Sequence, residues 1–185
     1  MDLNNYELMT IQNVSLSNMG FVVFLKRNIN DHVLPIFIGA SEAHSISAAL
    51  NGQKLPRPLS HDLFKNILGE LDCNLQTVFI TQLQEDTYYA QIQLIKDNEK
   101  LMIDARPSDA IALALRYSAP IYSHHNILDK AAVALPDEET KPIEDKKLKS
   151  QLDVYKEAMA KAIDSERYED AANLRDQIKN IQKNN

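Results

Sequence analysis

Residues 104–116 read Asp104-Ala-Arg-Pro-Ser-Asp-Ala-Ile-Ala-Leu-Ala-Leu-Arg116 and contain the end of a strand, a sharp turn and the start of a helix. The apolar and polar residues that alternate before this segment are typical of a strand that ends near Ala105. Pro107 has a backbone angle that suits the first helical position, and residues 110–115 are strong helix formers. We therefore predict a strand, a turn at Arg106 and a helix from Pro107 onward.

The turn places several polar side chains close together in the sequence. Asp104 and Asp109 supply two carboxylates, Arg106 supplies a guanidinium and Ser108 supplies a hydroxyl. Oxygen atoms in the first turn of a helix can accept hydrogen bonds from free backbone N–H groups, and negative charge there suits the helix dipole. The same groups are also suited to catalysis, so the sequence pattern is compatible with helix capping and with a catalytic role.

Upstream of this turn, hydrophobic periodicity predicts two sets of three consecutive strands. Three strands in succession favour an antiparallel meander. The fold class is therefore predicted to be α+β, with a mixed or antiparallel sheet built from two three-stranded meanders and covered by helices. The predicted strands span residues 6–16, 21–25, 34–38, 75–83, 88–94 and 100–105.

Helical patterns lie between the two predicted meanders and after the second one. Ser41 is the expected N-cap of the first helix. The second helix is expected to direct four apolar side chains to the core, namely Leu63, Ile67, Leu68 and Leu71. Residues 120–122 are expected to form a short edge strand. A small terminal segment is expected to start at His124.

The composition changes at Pro136, where a charged segment with two prolines begins. Such a segment has little apolar surface to bury and is typical of a linker. From Leu148 onward, apolar residues recur at three- and four-residue spacing, which predicts a C-terminal α-helical hairpin. Two helices alone bury little apolar area, so the hairpin is expected to bind a second copy or another protein. We divide the chain into an α+β domain (1–135), a charged linker (136–147) and the hairpin (148–185).

Composition and charge limit the classes of protein to which the chain can belong. Its 185 residues are 44% hydrophobic and 25% charged, which is ordinary for a soluble globular protein. The apolar runs are too short to span a bilayer and the N-terminus lacks a signal-peptide pattern, so we expect a cytoplasmic protein without a membrane partner. A formal net charge of −6 disfavours nucleic-acid binding through overall charge, while a local basic cleft stays open. A single cysteine, Cys73, excludes an intrachain disulfide.

Three segments of the chain resemble the bifunctional nuclease domain family. They are Leu34-Pro-Ile-Phe-Ile-Gly39 followed by Glu42-Ala43, then Arg57-Pro-Leu-Ser-His-Asp62, and finally residues 104–116. Their order and spacing make this resemblance, which covers roughly residues 5–134, more specific than a single short motif. Residues 159–178 resemble the UVR motif of the excision-repair subunits UvrB and UvrC, which pairs as a helical hairpin with another copy. The resemblance implies that the first module cleaves phosphodiester bonds of DNA and RNA and that the second recruits a partner.

The ionisable residues at the predicted element junctions are the candidates for this chemistry. Phosphodiester hydrolysis needs an activated water and stabilisation of charge on the phosphoryl oxygens, which carboxylate-held metals and arginine commonly supply. We therefore predict a divalent metal such as magnesium or manganese, with Asp104 and Asp109 as its ligands. His61 is a candidate general base because histidine titrates near neutral pH. The predicted catalytic residues are Asp104, Asp109, Asp62, His61 and Glu42, and the predicted substrate-binding residues are Arg57, Arg106 and Arg116.

A second interpretation needs no chemistry from these residues. Asp62 and Asp109 also suit a capping role at helix starts, and Arg106 could pair with Asp104. The alternative function is a non-catalytic adaptor or regulatory module, in which the α+β domain and the hairpin each bind a protein. In the first interpretation DNA or RNA is the substrate. In both, we expect a homo-oligomer or a protein partner bound through residues 148–185.

Overall fold

A computed structural model describes residues 2–17 and 20–134 of the chain. The predicted linker and helical hairpin therefore lie outside the described residues, as does the proposed boundary between them. The described strands are β1 (Tyr6–Ser17), β2 (Gly20–Arg27), β3 (His32–Ile38), β4 (Asn74–Gln84), β5 (Thr87–Lys96), β6 (Glu99–Ala105), β7 (Ile121–His124) and β8 (Val133–Ala134). The helices are α1 (Ala40–Leu50), α2 (Ser60–Glu70), α3 (Pro107–Tyr117) and α4 (His125–Ala131), preceded by a 3-10 turn at Leu3–Asn5.

The eight described strands form one mixed sheet in the order β6-β5-β4-β7-β1-β2-β3-β8. The strands β1-β2-β3 and β4-β5-β6 are two antiparallel meanders, as predicted. The predicted α+β class with covering helices is confirmed for the described residues. α3 packs against β4 and β5 and against α1, so the main core lies between these elements. The fully buried side chains include Leu25 of β2, Leu34 of β3, Ile80 of β4 and Ile111 of α3, and burial of each contributes about 1.5–3 kcal/mol.

The prediction that residues 120–122 form an edge strand is wrong. β7 lies in the middle of the sheet, parallel to β4 on one side and antiparallel to β1 on the other. Its Ile121 and Ser123 are buried. The short length of β7 suggested an edge, but pairing with two strands that are distant in the sequence places it at the centre.

Two predictions about the helices are also wrong. The N-cap of α1 is Gly39, because the helix begins two residues earlier than expected and Ser41 lies inside its first turn. In α2, Leu68 is buried but Leu63, Ile67 and Leu71 are about half-exposed. The face of α2 that contacts α3 carries the polar residues that hydrogen-bond to that helix. The apolar stripe of α2 therefore faces away from α3. No helix in the described residues has the length and apolar character required to cross a membrane.

Candidate active site

Three helices begin at one cleft of about 390 Å³. The N-cap residues of α1, α2 and α3 are Gly39, Leu59 and Arg106, and none of these side chains accepts a hydrogen bond from its helix. The positive ends of three helix dipoles therefore meet at the cleft, where each first turn carries one acidic residue, namely Glu42, Asp62 and Asp109. The cleft is lined by Ser41, Glu42, His44, Ser45, Leu59, Ser60, His61, Arg106 and Asp109.

A chain of hydrogen bonds connects the three helices inside this cleft. His61 Nε2 lies 3.1 Å from Asp109 Oδ1, and His61 Nδ1 lies 2.9 Å from Ser45 Oγ. A carboxylate can only accept a hydrogen bond, so the proton of a neutral His61 ring lies on Nε2 and points to Asp109. Nδ1 then accepts a hydrogen bond from the buried Ser45 hydroxyl. The arrangement has the order of a serine, a base and an orienting carboxylate.

Arg106 joins two carboxylates at the mouth of the cleft. Its Nε donates to Asp109 Oδ2 at 2.8 Å and its second terminal nitrogen donates to Asp109 Oδ1 at 3.1 Å. The other terminal nitrogen lies 3.1 Å from Glu42 Oε1. The Arg106 side chain is largely exposed, so part of the guanidinium still faces solvent.

The ion pair and the histidine both affect the ionisation of Asp109. Burial alone would raise the pKa of this carboxyl group. Hydrogen bonds from Arg106 and His61 outweigh that effect and lower the pKa below its usual value. The hydrogen bond to Asp109 also raises the pKa of Arg106. Asp109 is therefore charged at neutral pH and can orient His61.

Glu42 is held close to the start of α1. A Cβ atom at position 39 would collide with the Glu42 carboxylate, so Gly39 provides the space in which that carboxylate lies. Gly39 has φ −75°, which any residue can adopt. The glycine therefore leaves room for the Glu42 carboxylate and is not needed for the backbone conformation.

Three of the predicted site residues line an adjacent cleft of about 610 Å³: Arg57, Asp62 and Arg116. Arg116 Nε donates to Asp62 Oδ1 at 2.6 Å, and the Leu59 N–H donates to the other oxygen of Asp62 at 2.8 Å. The hydrogen bond from Arg116 holds the pKa of Asp62 below its usual value. Arg116 also donates to the carbonyl oxygen of Ala112 at 2.9 Å. Asp62 and Arg116 thus tie the start of α2 to the end of α3.

Asp104 lies apart from both clefts, exposed on β6. No hydrogen bond or ion pair holds its carboxylate within residues 2–17 and 20–134. In the same ranges, no group of three or more His, Cys, Asp or Glu side chains is arranged to hold a metal ion. The metal and catalytic roles of Asp104 stay predictions. Of the eight predicted residues, the 390 Å³ cleft contains four, namely Glu42, His61, Arg106 and Asp109.

Sequence reasoning missed Ser45. Residues three apart on a helix share a face, so a serine three positions after Glu42 was a usable signal. Ser45 is also a polar residue in a helix whose neighbouring positions, Ile46 and Ala48, are buried and apolar. Its partner His61 is distant in the sequence, and no local pattern connects the two residues.

Two parts of the chain match known protein families. Residues 23–136 match the bifunctional nuclease domain, and residues 149–184 match the UvrB/UvrC motif. An uncharacterized protein of Mycobacterium tuberculosis is 43% identical over 117 residues, which span 63% of this chain and 70% of that protein.

Two similar plant proteins are named as nucleases. Bifunctional nuclease 1 of Oryza sativa subsp. japonica is 27% identical over 177 residues, covering 85% of this chain and 53% of the rice protein. Bifunctional nuclease 2 of Arabidopsis thaliana is 26% identical over 170 residues, covering 81% of this chain and 52% of the plant protein. The chain spans about half the length of these plant relatives. With more than half of its residues matched by the domain, the chain belongs to the bifunctional nuclease domain family.

Proposed function

We propose that this chain hydrolyses phosphodiester bonds of DNA or RNA in the cleft formed by Glu42, Ser45, His61, Arg106 and Asp109. The observation that supports this most is the hydrogen-bond chain from Ser45 through His61 to Asp109, placed beside Arg106 where three helix N-termini meet. These groups supply a base, an orienting carboxylate and positive charge for a phosphate. The names of the plant relatives support the same reaction class.

The proposed roles follow from the hydrogen-bond directions. Asp109 accepts a hydrogen bond from the Nε2–H of His61, so the unprotonated Nδ1, which faces Ser45, acts as the base. As a water molecule attacks the phosphorus, it gives a proton to Ser45 Oγ while the Ser45 proton passes to His61 Nδ1. The bond from phosphorus to the leaving sugar oxygen breaks in the same displacement, and that oxygen takes up a proton from solvent. Arg106 and the backbone N–H groups at the helix starts stabilise the charge that develops on the phosphoryl oxygens. General base catalysis of this kind contributes roughly 10²–10⁴-fold to the rate.

Charge at the cleft explains why a divalent metal belongs to the proposal. Glu42 and Asp109 carry two negative charges against one positive charge on Arg106, which opposes an anionic substrate. Magnesium is commonly bound by one or two carboxylates together with substrate phosphates, so in this proposal Glu42 and Asp109 would be its protein ligands. A bound metal would stabilise charge on the phosphoryl oxygens. In this proposal Glu42 takes the place predicted for Asp104 as the second ligand.

The adjacent cleft extends the proposed substrate-binding surface. Arg57 and Lys54 are exposed there and lie on the far side of Leu59, which lines both clefts. We assign Arg57 to a neighbouring phosphate of the same strand. Asp62 and Arg116 are bound to each other, and we assign them to holding α2 in position.

Cleavage assays with matched variants test the proposal. Purified protein is incubated with single- and double-stranded DNA and with RNA, in magnesium, in manganese and in chelator. His61→Ala and Ser45→Ala are expected to lower the cleavage rate by about 10²–10⁴-fold. His32→Ala, which removes an exposed histidine from β3, is the control and is expected to leave the rate unchanged. Cleavage by His61→Ala at the wild-type rate would remove the base from the mechanism.

One observation favours the adaptor as a second function. The stripe of Leu63, Phe64, Ile67 and Leu71 on α2 is exposed and suits a protein partner. We also propose that residues 148–185, which include the match to the UvrB/UvrC motif, bind a protein partner or a second copy. Absence of cleavage on every substrate and in every metal would favour the adaptor.

A further inference from the structure

β6 is a long, open edge of the sheet. Among the described residues it pairs only with β5, over seven residues and without a bulge. Residues 99–104 of this strand are exposed, including Leu101, Met102 and Ile103. The opposite edge, β8, is only two residues long, which is one of the ways in which proteins protect an edge from pairing. β6 lacks that protection.

The hairpin before β6 determines which backbone groups face outward. Asp97 and Asn98 have φ angles of 50° and 64°, as in a two-residue type I′ turn, and Lys96 lies opposite Glu99. The residues that close such a turn exchange hydrogen bonds, and the pairs beyond them alternate. The N–H and C=O groups of Lys100, Met102 and Asp104 therefore point away from β5. Within residues 2–17 and 20–134 they have no backbone partner, which leaves them available to bind another strand.

We propose that β6 pairs with β6 of a second copy of this chain, antiparallel and centred on Met102. In this register Met102 lies opposite Met102 of the second copy, and all three outward residues form hydrogen-bonded pairs. Lys100 then lies directly opposite Asp104 of the second copy, twice across the two-fold axis. Opposite charges directly across an antiparallel pair are stabilising.

Other registers fit the charges less well. A two-fold axis at Lys100 would place two lysines opposite each other, and an axis at Asp104 would do the same with two aspartates. An axis at Leu101 or Ile103 leaves Lys100 without an opposite charge across the pair. The register centred on Met102 is therefore the one in which Lys100 and Asp104, the two charged residues among the three outward ones, are matched.

Apolar side chains on the helix side of the sheet add to this interface. Leu101 and Ile103 lie opposite Leu94 and Ile92 of β5, which are buried on the face covered by α3. When two β6 strands pair, Leu101 and Ile103 of both copies extend this apolar layer across the two-fold axis of the dimer.

Site-specific cross-linking of the full chain tests this pairing. Met102→Cys places two thiols opposite each other across the axis, and the native Cys73 is buried. Gln93→Cys is the matched control because Gln93 neighbours Met102 on β5. In the dimer the two side chains at position 93 would be three strand spacings apart, which is about 14 Å. A short bismaleimide cannot span that distance. We expect a cross-linked dimer for Met102→Cys and none for Gln93→Cys.

A charge swap tests the register. In the Met102→Cys background, Lys100→Asp is expected to raise the protein concentration needed for half-maximal cross-linking by at least about tenfold. Adding Asp104→Lys to that variant is expected to return this concentration to the value of the Met102→Cys protein. Circular dichroism confirms that each protein is folded. Equal cross-linking of the two cysteine variants would overturn the pairing, whatever assembly residues 148–185 form. Failure of the swap to restore cross-linking would overturn the register.

Discussion

Asp62→Asn tests whether the ion pair with Arg116 stabilises the domain. Arg116 is only 7% exposed and its Nε lies 2.6 Å from Asp62 Oδ1. Removing one partner of a buried ion pair typically costs about 3–5 kcal/mol, because the remaining charge stays desolvated. Asp62 itself is 37% exposed, so solvent screens the pair and we reduce the expected loss to about 2 kcal/mol.

Urea unfolding followed by circular dichroism measures this loss in free energy of unfolding. Asp31→Asn is the matched control, because it removes an acid that lies 3.0 Å from Lys26 Nζ and is itself 91% exposed. An exposed pair of this kind contributes about 0–1 kcal/mol, so the control is expected to change little. Equal losses for the two variants would refute the assignment of Asp62 and Arg116 as a stabilising pair.

The pH dependence gives an independent check. The hydrogen bond from Arg116 lowers the pKa of Asp62 in the folded protein, below the ordinary value of about 3.9. A lowered pKa contributes stability at pH values above the ordinary one and loses it as the pH falls through the folded value. The difference between wild type and Asp62→Asn should thus be constant near neutrality and shrink below about pH 4. A difference that persists unchanged into strong acid would contradict this reasoning.

Three further predictions concern other parts of the molecule. Ser123→Ala should leave the free energy of unfolding unchanged or raise it by up to about 1 kcal/mol, because the buried Ser123 hydroxyl has no hydrogen-bond partner among the described residues. A decrease of more than about 1 kcal/mol in the free energy of unfolding, measured in urea, would contradict this prediction. Gly39→Ala should displace Glu42 and lower the cleavage rate about tenfold, whereas Gly69→Ala, which meets open space, should leave it unchanged. Deletion of residues 148–185 should leave the α+β domain folded and lower the mass of the assembly in light scattering.

Local patterns in the sequence were sufficient for most strands and for α3. The meanders follow from period-two alternation, and the start of α3 follows from the backbone angle of Pro107. Arg106 and Asp109 are three residues apart at a helix start, so their pairing was also within reach of local reasoning. In each of these cases, residues that are close together in the sequence determine the local structure.

Tertiary pairing decides the features that were predicted wrongly. The apolar stripe of α2 is a correct reading of helical periodicity, but periodicity does not say which surface covers the stripe. The central position of β7 depends on its pairing with β4 and β1, which its own four residues do not encode. The bond from His61 to Asp109 joins residues 48 apart in the sequence. No spacing rule connects them.

The two meanders explain why the cleft exists where it does. β3 leads directly into α1 and β6 leads directly into α3, so each meander ends in a helix that begins at the cleft. Glu42 belongs to the first half and Arg106 to the second, and their ion pair crosses between the halves. Because β7 pairs with β1 of one meander and β4 of the other, it connects the two within one sheet, and the geometry of the cleft depends on the register at that central contact. A substitution that shifts this register should therefore separate Glu42 from Arg106 without touching either residue.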